Sequence, residues 1–438
     1  MTPTVATRRA AKRVRAGARR SRYAVRQAGS RVMSPSVALR RRVSSIPFSK
    51  RIYRSLHDPL VARRTLTVPI EQLLVGGVGG LSAREWAAAT GDPLRPSERV
   101  VDSAASELLR QWQAAGGSGL DDRALVETRY VRDALLAVEL TGHYFGARTH
   151  EEVVALAREF ASGATSTRPG RSVPTDPIRV RAVAYSDCFE VIDGHHRVAR
   201  AAAGGRLTVD VVRDLGTVVT PVQELVLATS WTESRRELYQ PVDVPELASG
   251  WTTVRACRDR LDMMRSLLAD RGINGGTYLD VAACYGWFVA ELAALGFDAR
   301  GVELDPAAIR LGEAVYQLDN GRIAVGDAAE FLARLDEPYD VVSCFSLLHH
   351  FVMGTGTCTA EDLVARLDHA TRRVLFLDTG EAHEAWFRDS LPEWNAAFVG
   401  EWLVAHTTFR DVVALGTDRD AVSPYEENYG RTLFACVR

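Results

Sequence analysis

The sequence predicts an α/β protein with two unlike domains. A doubly wound parallel sheet covers residues 275–438, and a smaller α+β domain with a helical insertion precedes it. Three observations predict this. The chain has 438 residues, long for one ordinary domain. After "NGG" (274–276), short apolar runs alternate strictly with helical patterning. Before it, strand-like runs lie on both sides of a long helical stretch.

Residues 1–57 form an arm that holds sixteen Arg or Lys and no Asp or Glu, which leaves 38 basic against 55 acidic residues in the remainder. A basic arm on an acidic body fits contact with nucleic acid, an anionic membrane surface or the body itself, or a solvated tail without a partner. An Arg/Ser/Ala-rich, acid-poor start also fits a transit peptide, although the same usage continues along the whole chain. No apolar run approaches the length of a membrane span, and no signal-type apolar segment follows the start. Six scattered cysteines without a C-x-x-C pair disfavour a zinc ribbon or a disulfide framework, so a reducing cytoplasm is the expected location.

In the domain expected at 58–221, "TLTVPIEQLL" (65–74) reads as a strand leading into a helix, and "VGGVGG" (75–80) as a flexible turn. Helical spacing follows in "SERVVDSAASELLRQWQ" (97–113), "ETRYVRDALLAVEL" (127–140) and "THEEVVALAREFASG" (149–163), the last with Thr149 as N-cap. After a loop at 162–177, "IRVRAVAY" (178–185) and "CFEVID" (188–193) read as strands, "HRVARAAAGG" as a helix and "LTVDVVRDL" (207–215) as a third strand. Residues 222–274 read as a helical linker and lid, broken by "YQPVDVPELASGW" (239–251) and ending in an amphipathic helix at 253–272. The strands of the last domain are "TYLDVA", "DARGVE", "RIAVGD", "YDVVSCF", "RRVLFLD", "DVVALG" and "RTLFACV".

The strand–turn–helix around Asp193, Gly194, His195, His196 and Arg197 admits four readings: a metal site, an acid–base pair, a phosphate cradle or a capped helix. Adjacent histidines on a helix diverge by about 100°, which is poor geometry for one metal. No metal is expected. A helix N-terminus followed by an arginine is anion-binding geometry, because orphan amides, the helix dipole and a guanidinium fork act together.

In the last domain, Asp280 lies at the end of the first strand and Gly286 at the start of a helix. Glu303 closes the second strand twenty-three residues after Asp280. In such a sheet ligands sit outside the carboxyl ends of the strands, and an acid at the second strand accepts from ribose hydroxyls. The loop lacks the G-x-G-x-x-G of nicotinamide dehydrogenases.

This arrangement resembles the class I, Rossmann-like, S-adenosylmethionine-dependent methyltransferases, over residues 275–438. The resemblance implies S-adenosylmethionine as cofactor. Asp280, Ala282, Cys284 and Gly286 fall on the glycine-rich first motif, Glu303 on the ribose-binding acid, and Asp327 with Ala328 on the adenine-contacting position. "YDVVSCFSLLHHF", with Phe345, falls on the fourth-strand motif that faces the methyl group. Glycine is usual where this chain has Ala282 and Cys284. A hydroxyl acceptor needs a base, and His349 and His350 are the first candidates, with packing beneath the sheet as the alternative role for one of them. Glu381 and His383 are the second candidates, and Trp386 is placed to wall an acceptor pocket. The "DPPY"-type tetrapeptide of amino-methylating DNA enzymes is absent after the fourth strand.

Residues 65–75 and 175–215 resemble the ParB/sulfiredoxin superfamily, whose Gly-x-x-Arg core binds nucleotide phosphates. Gly194 and Arg197 fall on that core, which implies ATP or CTP as ligand. The cysteine that sulfiredoxins carry after the glycine is His195 here, so sulfinic-acid reduction is not supported. "DGHHR" is closer to the free-serine kinase branch, for which Glu71 is the upstream acid to consider. The helix-turn-helix of ParB proper is absent from the pattern. Three functions follow. The first is a methyltransferase, O-directed on a small-molecule, sugar or phosphorylated or nucleotide-linked acceptor, with a phosphate-binding module. The second is a nucleic-acid-associated methyltransferase using the basic arm. The third is a bifunctional enzyme with a kinase-like first domain. Oligomeric state is not legible.

Overall fold

A computed structural model describes residues 65–90, 94–116, 119–163, 177–230 and 236–438. The basic arm and most of the 162–177 loop lie outside the described residues. Residues 65–438 form one compact unit containing two large sheets.

The first sheet has five strands: β1 (Thr65–Pro69), β2 (Leu73–Val75), β3 (Ile178–Val183), β4 (Phe189–Asp193) and β5 (Thr208–Val218), in the order β1-β5-β3-β4-β2. Here "TLTVPIEQLL" departs from its expected strand-to-helix form. Pro69 ends β1, one 3-10 turn follows, and Leu73 and Leu74 start a second strand. Leu73 faces the main core and Leu74 a smaller cluster with Val183 and Cys188. Two adjacent buried leucines fit a short strand covered on both faces, a pattern that periodicity cannot tell from a helix.

Between β2 and β3 lie α1 (Ala83–Thr90), α2 (Ala104–Ala114), α3 (Asp122–Val126), α4 (Arg129–Thr141) and α5 (His150–Ser162). Side chains at the N-caps fix where they start: Ser103, Asp121 and Thr128 each accept a backbone N–H, and Thr149 forms a reciprocal capping box with Glu152. The apolar faces of α2, α4 and α5 bury Leu108, Ala134, Val153 and Phe160 in one core with Val180 and Val191 of the sheet. Helix α6 (His195–Ala203) follows β4 directly.

Between the sheets run α7 (Pro221–Ala228), the short paired strands β6 (Glu237–Leu238) and β7 (Thr252–Thr253), and α8 (Arg258–Asp270). The expected helix at 253–272 thus begins later, because Cys257 takes a left-handed turn (φ 62°).

The second sheet comprises β8 (Gly276–Val281), β9 (Phe297–Glu303), β10 (Ile323–Val325), β11 (Tyr339–Cys344), β12 (Thr371–Leu377), β13 (Asp411–Thr417) and β14 (Thr432–Val437). All seven expected strands are present, in the order β10-β9-β8-β11-β12-β14-β13. Pairing is parallel from β10 to β12, and β14 runs antiparallel to both neighbours. Helices α9 (Trp287–Ala294), α10 (Pro306–Tyr316), α11 (Ala328–Ala333), α12 (Leu348–Val352), α13 (Ala360–Ala370) and α14 (Ala396–His406) complete the domain. Both faces of the central strands are covered, so runs such as Val374–Leu377 and all of β14 are buried, as in doubly wound sheets. Register aligns Val281 with Val302 and Cys344, Cys344 with Leu377, and Glu303 with Val325. The loops after these strands therefore share one edge, and the antiparallel β14 starts there too, with Phe434 opposite Leu377. No helix among the described residues is long and apolar enough to cross a membrane.

Candidate functional site

The loop after β8 keeps the backbone of a glycine motif without its glycines. Ala282 (φ 63°), Cys284 (φ 54°) and Gly286 (φ 84°) all adopt left-handed conformations. Only glycine does so without steric cost, so the alanine and the cysteine are held there by their surroundings. The Ala283 N–H donates to the Val302 carbonyl at 3.0 Å. The Cys284 N–H donates to Glu303 Oε2 at 2.8 Å, while Oε1 of the same carboxylate accepts the Asp305 N–H at 2.9 Å. Gln240, buried, accepts the N–H groups of Tyr285 (3.1 Å) and Trp287 (3.2 Å) and donates to the Ala283 carbonyl at 3.3 Å.

Asp280 lies beneath this loop, 1 % exposed. Its Oδ1 accepts from Ser343 Oγ at 2.6 Å, and its Oδ2 is buried without a partner. Burial pushes its carboxyl up to about 7. Burial also raises Glu303, against the lowering effect of its backbone hydrogen bonds. Asp327 caps α11 by accepting the Glu330 N–H at 3.0 Å, which leaves Ala328 as the first residue of that helix. Leu304 and Val325 are exposed apolar residues at the neighbouring strand ends.

On the β11 side, Phe345 turns its ring inward. It packs 4.8 Å from Phe288 and 5.2 Å from the Arg260 guanidinium, so its backbone rather than its ring marks the strand end. Ser346 is again left-handed (φ 56°). Its Oγ accepts from Tyr239 (2.7 Å), Arg255 Nη1 (2.9 Å) and Arg431 Nη1 (2.8 Å), and its N–H donates to Asp378 Oδ1 at 2.6 Å. Asp378 also takes Arg255 at 3.3 Å and Arg260 at 2.9 Å, Asp418 pairs with Arg255, and Glu384 holds Arg431 through two bonds of 2.8 Å. Burial alone would raise Asp378, but the three guanidiniums hold it well below the usual carboxylate range.

His349 is buried and its Nδ1 accepts the Gly380 N–H at 3.0 Å. An imidazole used this way carries its proton on Nε2. Burial, with Arg431 and His350 nearby, holds the ring well below its ordinary value. His350 is exposed, its ring 4.3 Å from that of His349. Glu381 is buried, accepts the Thr432 N–H at 2.6 Å and lies 3.7 Å from His383 Nδ1. Trp386, 44 % exposed, meets Tyr429 edge-on.

In the first sheet, Gly194 caps α6 with φ 107°, and a Cβ there would lie 3.0 Å from Arg197 Nη2. The two histidines face different neighbours. His195 Nε2 accepts the Gly76 N–H at 3.2 Å, and burial lowers its ring to about 4 against the pull of Asp193. His196 meets the Tyr130 hydroxyl at 3.0 Å and packs 4.2 Å from Phe160. Arg197 pairs with Asp193 at 3.2 Å, while its Nε and Nη1 are buried without a partner. Glu71 is not brought to this end. β2 runs parallel to β4, with Leu73 opposite Phe189, and Gln72 bonds Asp187, so Glu71 sits at the far end of both strands. Among the described residues, no group of three or more His, Cys, Asp or Glu is arranged to hold a metal ion.

Comparison with known proteins bears on the second sheet. A family described as a methyltransferase domain matches residues 279–374. Residues 279–374 of the chain thus carry a methyltransferase domain. Among solved structures the chain is similar to the bifunctional kinase-methyltransferase WbdD, at 22% identity over 49% of this chain and 46% of that one, TM-score 0.39. It is also similar to magnesium protoporphyrin IX methyltransferase (ChlM) from Synechocystis PCC 6803 with bound SAM, at 18% identity over 41% and 78% of the two chains, TM-score 0.31. The PH0226 protein from Pyrococcus horikoshii OT3 is similar at 18% identity over 41% and 90%, TM-score 0.31. The alignment thus spans less than half of WbdD. No curated protein matches the chain.

The residues of the methyltransferase domain fit the cofactor. Asp280 Oδ2 is a buried acceptor in want of a donor. The Glu303 carboxylate has about four lone-pair positions, of which backbone amides fill two. Nothing in the local sequence marks Tyr239, Gln240, Arg255, Arg260, Ser346, Asp378 and Arg431 as site residues. These residues are scattered along the chain and meet only in three dimensions. The three arginines of "TVRACRDR" read locally as the polar face of an amphipathic helix.

Proposed function

We propose that the chain methylates a hydroxyl oxygen of a small-molecule, sugar or phosphorylated or nucleotide-linked acceptor. The observation that carries this reading is the loop of residues 282–286, whose left-handed turns sit beside two acceptor carboxylates, Asp280 and Glu303. S-adenosylmethionine supplies an activated methyl group when bound, so the chain's own residues mainly bind, orient and move one proton. Glu303 accepts the ribose hydroxyls with its remaining lone pairs. Asp280 Oδ2 faces the cationic amino-acid end. Asp327, Ala328 and the small residues Ala282, Cys284 and Gly286 shape the rest of the cofactor pocket, with the Phe345 backbone at its edge. Trp386 walls the acceptor.

His350 takes the acceptor proton. Its side chain is exposed, and His349 is buried. Glu381, tied to Thr432 and beside His383, is the second candidate.

We further propose that residues 58–221 act as a module whose Asp193–Arg197 turn binds a phosphate group, on the acceptor or on ATP or CTP. Two unpartnered guanidinium nitrogens of Arg197 at a helix N-terminus support this. Transfer of labelled methyl to pools of sugars, nucleotides and small hydroxylated compounds tests the reading. Labelling of nucleic acid alone would replace it with the nucleic-acid reading.

A further inference from the structure

We propose that Tyr239 and Gln240, in the segment joining the two sheets, are positioning residues that hold the two sides of the methyl-transfer site in place; the inference rests on the reading of 282–286 as the cofactor loop. Three non-glycine residues at the shared strand edge are left-handed: Ala282 and Cys284 after β8, and Ser346 after β11. Such turns persist only where the surroundings over-determine them.

The surroundings here come from two consecutive residues. Gln240 uses both ends of its amide on one loop: Oε1 accepts from Tyr285 and Trp287, and Nε2 donates to the Ala283 carbonyl. Tyr239 reaches the other way and donates to Ser346 Oγ at 2.7 Å, within the Arg255–Arg431–Asp378 cluster. Its backbone N–H meets the Tyr285 hydroxyl at 3.4 Å, and Tyr316 donates to the Pro241 carbonyl, so the segment is fixed from both ends. One short strap thus sets the spacing between the loop that holds the cofactor and the strand end that faces its methyl group. In this chain the strap does what glycines do by conformational freedom alone.

The test is a rescue. Gln240→Ala should weaken S-adenosylmethionine binding, read by calorimetry on the full chain, by about tenfold or more. Adding Ala282→Gly and Cys284→Gly to Gln240→Ala should restore affinity to within about threefold of wild type, because glycine needs no strap to turn left-handed. A purely structural role would lower melting temperature without this glycine-specific recovery. Unchanged binding in Gln240→Ala, or a loss that the glycines do not repair, would overturn the proposal. Should wild type not bind S-adenosylmethionine, the functional reading fails. The strap is then judged by melting temperature alone: the glycine pair recovers the loss in Gln240→Ala, and Ser346→Gly recovers that in Tyr239→Phe, or the proposal falls.

Discussion

Truncating Glu303 gives the sharpest measure of the cofactor site. In the fold this carboxylate already accepts two backbone amides, from Cys284 at 2.8 Å and from Asp305 at 2.9 Å. A carboxylate offers about four lone-pair positions, so about two remain for the two ribose hydroxyls. A hydrogen bond to a charged group contributes about 1.5–3 kcal/mol. Two such bonds do not add in full, because the ribose keeps water in their place and burial already disfavours the ionised Glu303. A loss of about 3 kcal/mol follows for Glu303→Ala, or roughly a hundredfold in Kd. Glu303→Gln keeps the size and one acceptor oxygen, and should lose about tenfold. The assay is calorimetry with S-adenosylmethionine and with S-adenosylhomocysteine, each variant being checked by thermal melting for a folded state. Both ligands carry the ribose, so both should weaken alike. Binding within about threefold of wild type in a folded Glu303→Ala would take this carboxylate out of the cofactor site.

Four more outcomes follow from the geometry. With an acceptor in hand, His350→Ala should lower turnover by about 10²–10⁴. His349→Ala should instead cost about 1–3 kcal/mol of stability by stranding the Gly380 N–H, and equal turnover losses with no change in melting would return His349 to the reaction. Nucleotides or phosphorylated acceptors should raise the melting temperature of wild type and not of Arg197→Ala; protection that survives the substitution would sink the phosphate cradle. Asp280 has a folded value raised to about 7 against an ordinary carboxylate near 4. Its ionisation therefore costs nothing below about pH 4 and up to about 4 kcal/mol above pH 7. The stability gain of Asp280→Asn over wild type should rise across that window in urea titrations, and a gain that is flat with pH would refute the burial argument.

The second sheet was legible because its physics is local. Strand–helix alternation and buried runs such as Val374–Leu377 are written within a few residues of where they act. The same holds for Thr149 and its capping box. What failed was equally local in origin. Leu73 and Leu74 bury opposite faces of a three-residue strand, and a run that short has no period to read. Chemistry at Arg197 would need Glu71 at the same strand end, yet strand direction places it at the other, and direction depends on pairing between residues more than a hundred apart.

The candidate site divides along the same line. Asp280, Glu303 and Gly286 could be placed because strand ends and loop spacing put them on one edge. The residues that hold this edge together could not, because each is ordinary in its own segment. Arg255, Arg260 and Arg431 are almost wholly buried, and each balances acids that lie far along the chain, at Asp378, Glu384 and Asp418. Removing one member of such a set leaves a buried charge unpaired, which costs more than the pair gains by forming. The cluster is therefore poorly explained as a source of stability and better explained by what it fixes in place. Arg255 and Arg431 meet at Ser346 Oγ, on the left-handed turn where β11 ends, and Arg260 reaches that turn through Asp378. Alanine and cysteine where glycine is usual are the counterpart of this in the loop after β8. Both turns carry a side chain that resists their geometry, and both are held by long-range hydrogen bonds that a pattern of spacings cannot contain.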